Sequence, residues 1–510
     1  MRLIRYCLAL VLLAGMAGLL SAPPSVHAAA QTQASTFAVG KCPFRLSITS
    51  GQWEGITFKC GTVTVPEDHS NPNGKTIQLA VAVFKSSASQ PGAPVIYLDG
   101  GPGGFTLAQA SSYVSSFGKL LAAHDLILFD QRGVGFSTPS LYCSELTDLS
   151  NQQLGEVLTP EVAAKQQTDA ALACRQRLVK AGVNLAAYNS AQDAADVDSI
   201  RQALGYKTLN LYGISYGTRL ALTVMRDFPQ AVQSTVIDSV VPLEVDDIAG
   251  YIPDTERVFK QLWDSCASST QCNSAYPNLE NVFYQTVDKL NAKPIKVTSR
   301  TSPLSKGYPV VIDGNALIDA LFQAFYVTEV IPYLPEVIYQ ARDGQVDTIA
   351  AFLLELTGEN SVISYGMYYS VDCQEEVAFT TPDKVKAAAQ GVPPQLITAE
   401  MPGNDSEFDV CNAWGAGKAP AIENQPVKSD IPTLVMAGTF DPVTPPAYSK
   451  QVADELSKSV YVEIPNSGHG ASLSGACPFQ LVTNFFNQPT QQLDSSCVKQ
   501  ISGPQFLVAH

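Results

Sequence analysis

Leu209-Asn210-Leu211-Tyr212-Gly213-Ile214-Ser215-Tyr216-Gly217-Thr218 passes from a short apolar run, across two glycines and a serine, into TRLALTVMRDF at Thr218–Phe228. The apolar run predicts a buried strand and the stretch from Thr218 predicts a helix. Glycines at 213 and 217 permit a strand-to-helix turn sharp enough to lift the Ser215 hydroxyl above a sheet. The N-terminus of the helix behind it favours negative charge developing nearby. Ordinary glycine turns also match five residues of this kind, so the rest of the chain has to decide.

Working outward, apolar strand-like runs recur at Pro94–Leu98, Asp125–Phe129, Ser234–Val241, Ile431–Ala437 and Val460–Ile464, with a helical stretch at 160–205. Strands alternating with helices predict an α/β fold with a mostly parallel, doubly wound sheet. Before them, ITFKCGTVTVP and TIQLAVAVFK flank the turn signal NPNGK and predict antiparallel strands. Between 243 and 428 the sheet pattern is suspended. FKQLWDSC, LENVFYQTVDKL and NALIDALFQAFY are helical in pattern, with strand-like IKVTS and YPVVID among them. The expected organisation is one sheet domain, residues 41–242 and 429–510, split by an inserted and mainly helical cap at 243–428.

The chain has five histidines. His27 lies in a segment expected to be removed, and His510 is terminal. His69 and His124 precede Ser215, which does not fit a chain order of serine, acid, histidine. His469, in Asn466-Ser467-Gly468-His469-Gly470 just after the last strand, remains. Asp441 follows the preceding strand in Gly438-Thr439-Phe440-Asp441-Pro442. Ser215, Asp441 and His469 at three strand ends are the expected nucleophile, orienting acid and general base. Backbone N–H groups of Tyr216 and of Gly101, in Asp99-Gly100-Gly101-Pro102-Gly103-Gly104, are the expected oxyanion donors.

Arg2 and Arg5, the apolar run Cys7–Leu20 and Val26-His27-Ala28 read as a signal peptide over residues 1–28, followed by a small, polar and disordered segment at 29–40. No later run is long enough to span a membrane, so no stable membrane anchor and a secreted or cell-envelope location are expected. Loss of Cys7 leaves ten cysteines, an even number that suits disulfides in an exported chain. Near-neighbour pairing gives Cys42–Cys60, Cys143–Cys174, Cys266–Cys272, Cys373–Cys411 and Cys477–Cys497. The absence of any C-x-x-C and the scarcity of histidine argue against a metal site, and no cofactor is expected. The net charge of −15 disfavours nucleic acid as a partner.

Gly100-Gly101-Pro102-Gly103-Gly104, Asp130-Gln131-Arg132-Gly133-Val134-Gly135-Phe136-Ser137 and Gly213–Thr218 resemble the proline iminopeptidase and tripeptidyl aminopeptidase group, serine peptidases of the α/β-hydrolase fold. Gly438–Pro445 and Ser467–Gly470 resemble its C-terminal half. Many members of that group have His where this chain has Asp99. Arg132 is expected to brace the oxyanion loop through carbonyls or Asp130. The resemblance implies an exopeptidase that cuts near the free amino end of short peptides. Such an enzyme requires a carboxylate for the substrate ammonium, and Glu375 and Glu376 in Tyr369–Glu376 are the candidates; the bland alternative for them is a solvated acidic turn. A secreted carboxylesterase on the same fold is the competing expectation.

Overall fold

A computed structural model describes residues 36–47, 51–300, 306–359 and 363–508. The expected signal peptide, and residues 29–35 of the expected disordered segment, lie outside the described residues. The strands are β1 (Phe37–Gly40), β2 (Phe58–Pro66), β3 (Thr76–Phe84), β4 (Gly92–Leu98), β5 (His124–Phe129), β6 (Leu209–Ile214), β7 (Val232–Asp238), β8 (Ile295–Ser299), β9 (Tyr308–Ile312), β10 (Thr433–Gly438) and β11 (Ser459–Ile464). Nine of them form one sheet in the order β1-β2-β3-β5-β4-β6-β7-β10-β11. The β1–β2, β2–β3 and β3–β5 pairs are antiparallel, and the rest of the sheet is parallel.

The alternation seen in the sequence has a direct cause. β5, β6 and β10 are buried along their whole length, because helices cover both faces and leave no solvent side for polar residues. β2 keeps an alternating pattern, with Phe58, Cys60, Val63 and Val65 buried. From β4 the chain adds β5 on one side and later β6 on the other, so the winding reverses between β4 and β6. Crevices at the carboxyl ends of strands on either side of such a reversal are where ligands bind in open α/β sheets. The register pairs Leu98 with Gly213, which brings the glycine loop after β4 beside Ser215.

Two expectations are corrected. Residues 37–40 are not disordered but form β1, paired antiparallel to β2 from Phe37↔Val63 to Gly40↔Cys60. The disulfide Cys42–Cys60 closes this edge, and the backbone pairing outweighs a small, polar composition. The second correction concerns 144–180, expected with the sheet domain. Its helices Ser144–Gln153 and Pro160–Lys180 are joined by Cys143–Cys174. The longer one packs along the helix Pro394–Trp414, where Thr168 Oγ1 and Ser406 Oγ lie 2.7 Å apart. The helical layer is therefore supplied by two stretches of chain.

Residues 243–428 are helical apart from a β8–β9 hairpin, with an aromatic core of their own around Phe259, Trp263, Phe283 and Phe325. All five expected disulfide pairs are present. Among the described residues no helix is long and apolar enough to cross a membrane.

Candidate active site

Ser215 follows β6 in a backbone conformation that side chains rarely adopt, φ 58° and ψ −132°. The flanking glycines are required by space. A Cβ on Gly213 would lie 2.3 Å from the carbonyl oxygen of Gly217, and a Cβ on Gly217 would lie 1.9 Å from that of Leu98. The turn is held from two sides. Ser215 N–H donates to the Asp238 carbonyl at 3.1 Å, and Thr218 N–H and Oγ1 donate to the Ser215 carbonyl at 2.8 and 2.6 Å. The helix Tyr216–Asp227 starts at once.

Asp441 and His469 come from the loops after β10 and β11. The imidazole Nδ1 lies 2.9 Å from Asp441 Oδ2. Asp441 is fully buried, and it accepts from Val443 N–H, Thr444 N–H and Thr444 Oγ1 at 3.1, 2.8 and 2.8 Å. Burial alone would push its carboxyl up, but the His469 charge and these donors outweigh it and the net shift is downward. His469 shows the converse. Burial would lower it, while Asp441 and the more distant Asp238 carry it above its ordinary value.

Asp238 and Ser239, at the end of β7, hold the histidine loop from behind. Ser472 N–H and Oγ donate to Asp238 Oδ2 at 2.7 and 2.5 Å, and Gly470 N–H donates to Ser239 Oγ at 2.8 Å. Ser239 also has a positive φ, 60°. On the other side the Tyr326 ring lies over the imidazole, with centroids 4.9 Å apart.

Gly100 packs against Ser215 so closely that a Cβ there would lie 2.8 Å from Ser215 Cβ. Asp99 accepts from Gly100 N–H, Tyr97 OH, Tyr113 OH and Thr106 Oγ1 at 2.9–3.1 Å, so this residue braces the loop. Arg132 does not brace the oxyanion loop as expected: its Nε and Nη2 donate to Asp196 at 2.8 Å and its Nη1 to the Glu67 and Ala187 carbonyls, while the neighbouring Gln131 Nε2 donates to the Asp99 carbonyl at 2.9 Å. Asp130, the acid expected to pair with it, instead accepts from Leu107 N–H and Phe136 N–H at 2.8 and 2.7 Å.

Ser215, Tyr216, Gly101 and Pro102 face a cavity of about 410 Å³. Its other walls come from the helical stretches, including Gln167, Tyr251, Tyr326, Tyr368, Asp372 and Glu376. The stretch expected to be an acidic turn is a helix, Tyr365–Glu375, with Tyr369 through Glu375 buried. Glu375 does not line the cavity. Its carboxylate receives Ser190 N–H at 2.7 Å, Ser190 Oγ at 2.6 Å and Arg219 Nε at 2.9 Å. Glu376 does line it, ion-paired to Arg219 Nη1 and close to Asp247. Burial pushes both Glu376 and Asp247 up.

The fold and this geometry agree with the comparisons. A model of the alpha/beta hydrolase fold matches residues 93–264, and a model of TAP-like proteins matches 399–497. The chain has the α/β-hydrolase fold. It is 26% identical over 428 residues to the serine protease Hip1 of Mycobacterium tuberculosis, spanning 79% of each chain. It is 29% identical over 334 residues to the tripeptidyl aminopeptidase of Streptomyces lividans, spanning 62% of this chain and 60% of that one. It is also 26% identical over 459 residues to carboxylesterase B of M. tuberculosis, spanning 84% of each. The similarity supports a serine hydrolase, with relatives named both as peptidases and as a carboxylesterase. The fold model ends and the TAP-like model begins within the helical insertion, so the middle of that insertion lies outside both.

Sequence reasoning missed Arg219, Asp247, Asp372, Glu407 and Tyr326 as parts of the site. Asp372 carried a usable signal, since Tyr365, Tyr368, Tyr369 and Asp372 share one helix face at spacings of three and four. Arg219 carried another, as a charged residue four positions after Ser215 on a helix whose first ten residues are all buried.

Proposed function

We propose that this α/β-hydrolase is an exported serine exopeptidase that hydrolyses peptide bonds near the free amino end of short peptides. Ser215 is the nucleophile and His469 removes its proton. Asp441 fixes the tautomer and stabilises the imidazolium. The backbone N–H groups of Tyr216 and Gly101 are the proposed oxyanion donors, and both residues line the cavity with Ser215. The acyl-enzyme formed with the amino-terminal part of the peptide is released by water, with His469 activating that water in turn.

The observation that carries the amino-end reading is that the cavity Ser215 opens into is walled by carboxyl groups. A substrate ammonium is the complement of such a wall, and Glu376 with Asp247 beside it is the site proposed for it. Glu375, whose oxygens are spent on Arg219 and Ser190, positions that arginine instead. The five disulfides agree with an oxidising, extracytoplasmic location. The second reading, a carboxylesterase, is favoured by one observation, the similarity to carboxylesterase B.

The experiment that separates the two compares an unblocked tripeptide anilide, its N-acetylated form and a simple aryl ester. Preference for the unblocked peptide, with Glu376→Gln narrowing the gap to the acetylated one, supports the peptidase reading. Equal turnover of blocked and free peptides, or turnover of the ester alone, rejects it. Loss of one charge-assisted contact corresponds to roughly 1.5–3 kcal/mol in kcat/KM.

A further inference from the structure

Five acids line the cavity, namely Asp247, Asp372, Glu376, Glu400 and Glu407, and Arg219 is the lining cation. Arg219 is already engaged by Glu375 and Glu376. One substrate ammonium at the Asp247–Glu376 end therefore leaves Asp372 and Glu407, which hydrogen-bond to each other by sharing a proton, with no cation beside them. Asp372 is 6% exposed, and its Oδ2 accepts no hydrogen bond among the described residues. Glu407 receives the Tyr368 hydroxyl at 2.9 Å. With one proton shared, the pair still keeps one buried negative charge, which is costly unless a cation reaches it.

The surroundings define the kind of cation. Asp372 lies on the helix face that carries Tyr365, Tyr368 and Tyr369, and the rings of the last two have centroids 5.3 Å apart. Carboxylates behind aromatic rings suit a long side chain with an apolar stem and a charged head. A metal ion is less well served, because among the described residues no three His, Cys, Asp or Glu side chains are grouped as metal ligands. Glu400 lines the same cavity two helical turns before Glu407, about 10 Å away along the helix axis. The acidic wall is thus longer than one ammonium requires.

We propose that Asp372 and Glu407 bind the side chain of a lysine or arginine near the amino end of the peptide, so that the substrates are basic peptides carrying two positive charges into the cavity. This rests on the amino-end reading above. The test uses unblocked tripeptide 4-nitroanilides in which lysine, or its uncharged counterpart norleucine, occupies each position in turn, with the all-alanine peptide as reference. At one position lysine is expected to exceed norleucine in kcat/KM by roughly ten-fold or more. Asp372→Asn and Glu407→Gln, checked for native circular dichroism, are each expected to bring that ratio towards one. If the all-alanine peptide is cut but lysine equals norleucine at every position, the inference is overturned and the amino-end reading stands. If the lysine preference survives in both variants, the site is elsewhere and the inference is likewise overturned. If no unblocked peptide is cut at all, both fall together.

Discussion

The Ser215 turn depends on two atoms that are absent. With Gly217 lacking a Cβ, the start of the helix passes close under the Leu98 carbonyl. Gly217→Ala would force those backbones apart and displace Ser215 relative to the loop after β4. A displacement near 1 Å is enough to cost about a hundred-fold in rate. The expected outcome is a fall of about that size in kcat with a smaller change in KM, measured by steady-state kinetics on an unblocked peptide.

The His469 environment sets a pH dependence at the same scale. A general base must be neutral in the free enzyme, so kcat/KM falls as pH drops through its pKa. Burial pulls that pKa down, but Asp441 and Asp238 raise it further, so the acid limb is expected above the ordinary histidine value of 6.5. Asp238→Asn removes one of the raising charges and keeps the hydrogen-bonding shape towards Ser472. The limb should then move to lower pH. A limb that stays in place would show that Asp238 acts on the loop through hydrogen bonds alone. The three candidate residues could be picked out because each follows a buried strand and the candidate histidines were few. Asp238 was not, because nothing in STVIDSVV marks a strand-end aspartate that faces a loop more than 200 residues later.

Among the elements, the helix Tyr365–Glu375 shows why the burial of its polar residues was hard to read from the sequence. Tyr369-Ser370-Val371-Asp372-Cys373-Gln374-Glu375-Glu376 mixes polar and apolar residues on every face, as a solvated turn would. The structure buries the polar ones by giving them specific partners. Gln374 Nε2 donates to the Tyr188 and Ser370 carbonyls at 3.1 and 2.6 Å, and Glu375 meets Arg219. Tyr188 and Arg219 lie more than 150 residues away in sequence, and local periodicity carries no trace of them. Cys373–Cys411 ties this helix to Pro394–Trp414, across which the cavity acids are shared. The bond closes 38 residues, for which loop entropy gives a stabilisation of about 4 kcal/mol. Replacing both cysteines by serine is expected to lower denaturant stability by about that amount. The two helices would also be less well fixed, so KM for unblocked peptides should rise more than kcat falls. A loss confined to stability would mean that the helices keep their spacing without the bond.

At the scale of the whole molecule, a core against the sheet takes in Met367, Tyr369 and Trp414 from the helical layer, that layer has a second core around Phe259 and Phe283, and the cavity is lined from both the sheet and the helices. The sheet contributes Ser215 and the Gly101 loop. The helical layer contributes the acids and most of the tyrosines, and Tyr326 from it lies on His469. The gap in the large sheet between Asp238 and Thr433 was legible from where the strand pattern stops and resumes. The share of residues 144–180 in the helical layer was not, since a helix on the sheet and a helix on another helix have the same apolar stripe. This enclosure has a consequence for substrate size. An endopeptidase has to accommodate an extended chain running on past the nucleophile in both directions. Here His469 keeps a side chain only 10% exposed, and Ser215 is reached through a walled cavity. Folded proteins, and internal bonds of long chains, are therefore expected to resist cleavage while short unblocked peptides are cut. The check is to incubate the enzyme with intact casein and with a set of peptides of increasing length, following products by mass spectrometry. Release of fragments from the amino end alone, at rates that fall as the peptide lengthens, is the expected result. Internal fragments of casein appearing as fast as the short peptides are consumed would show that the helical layer opens to admit a chain from the side.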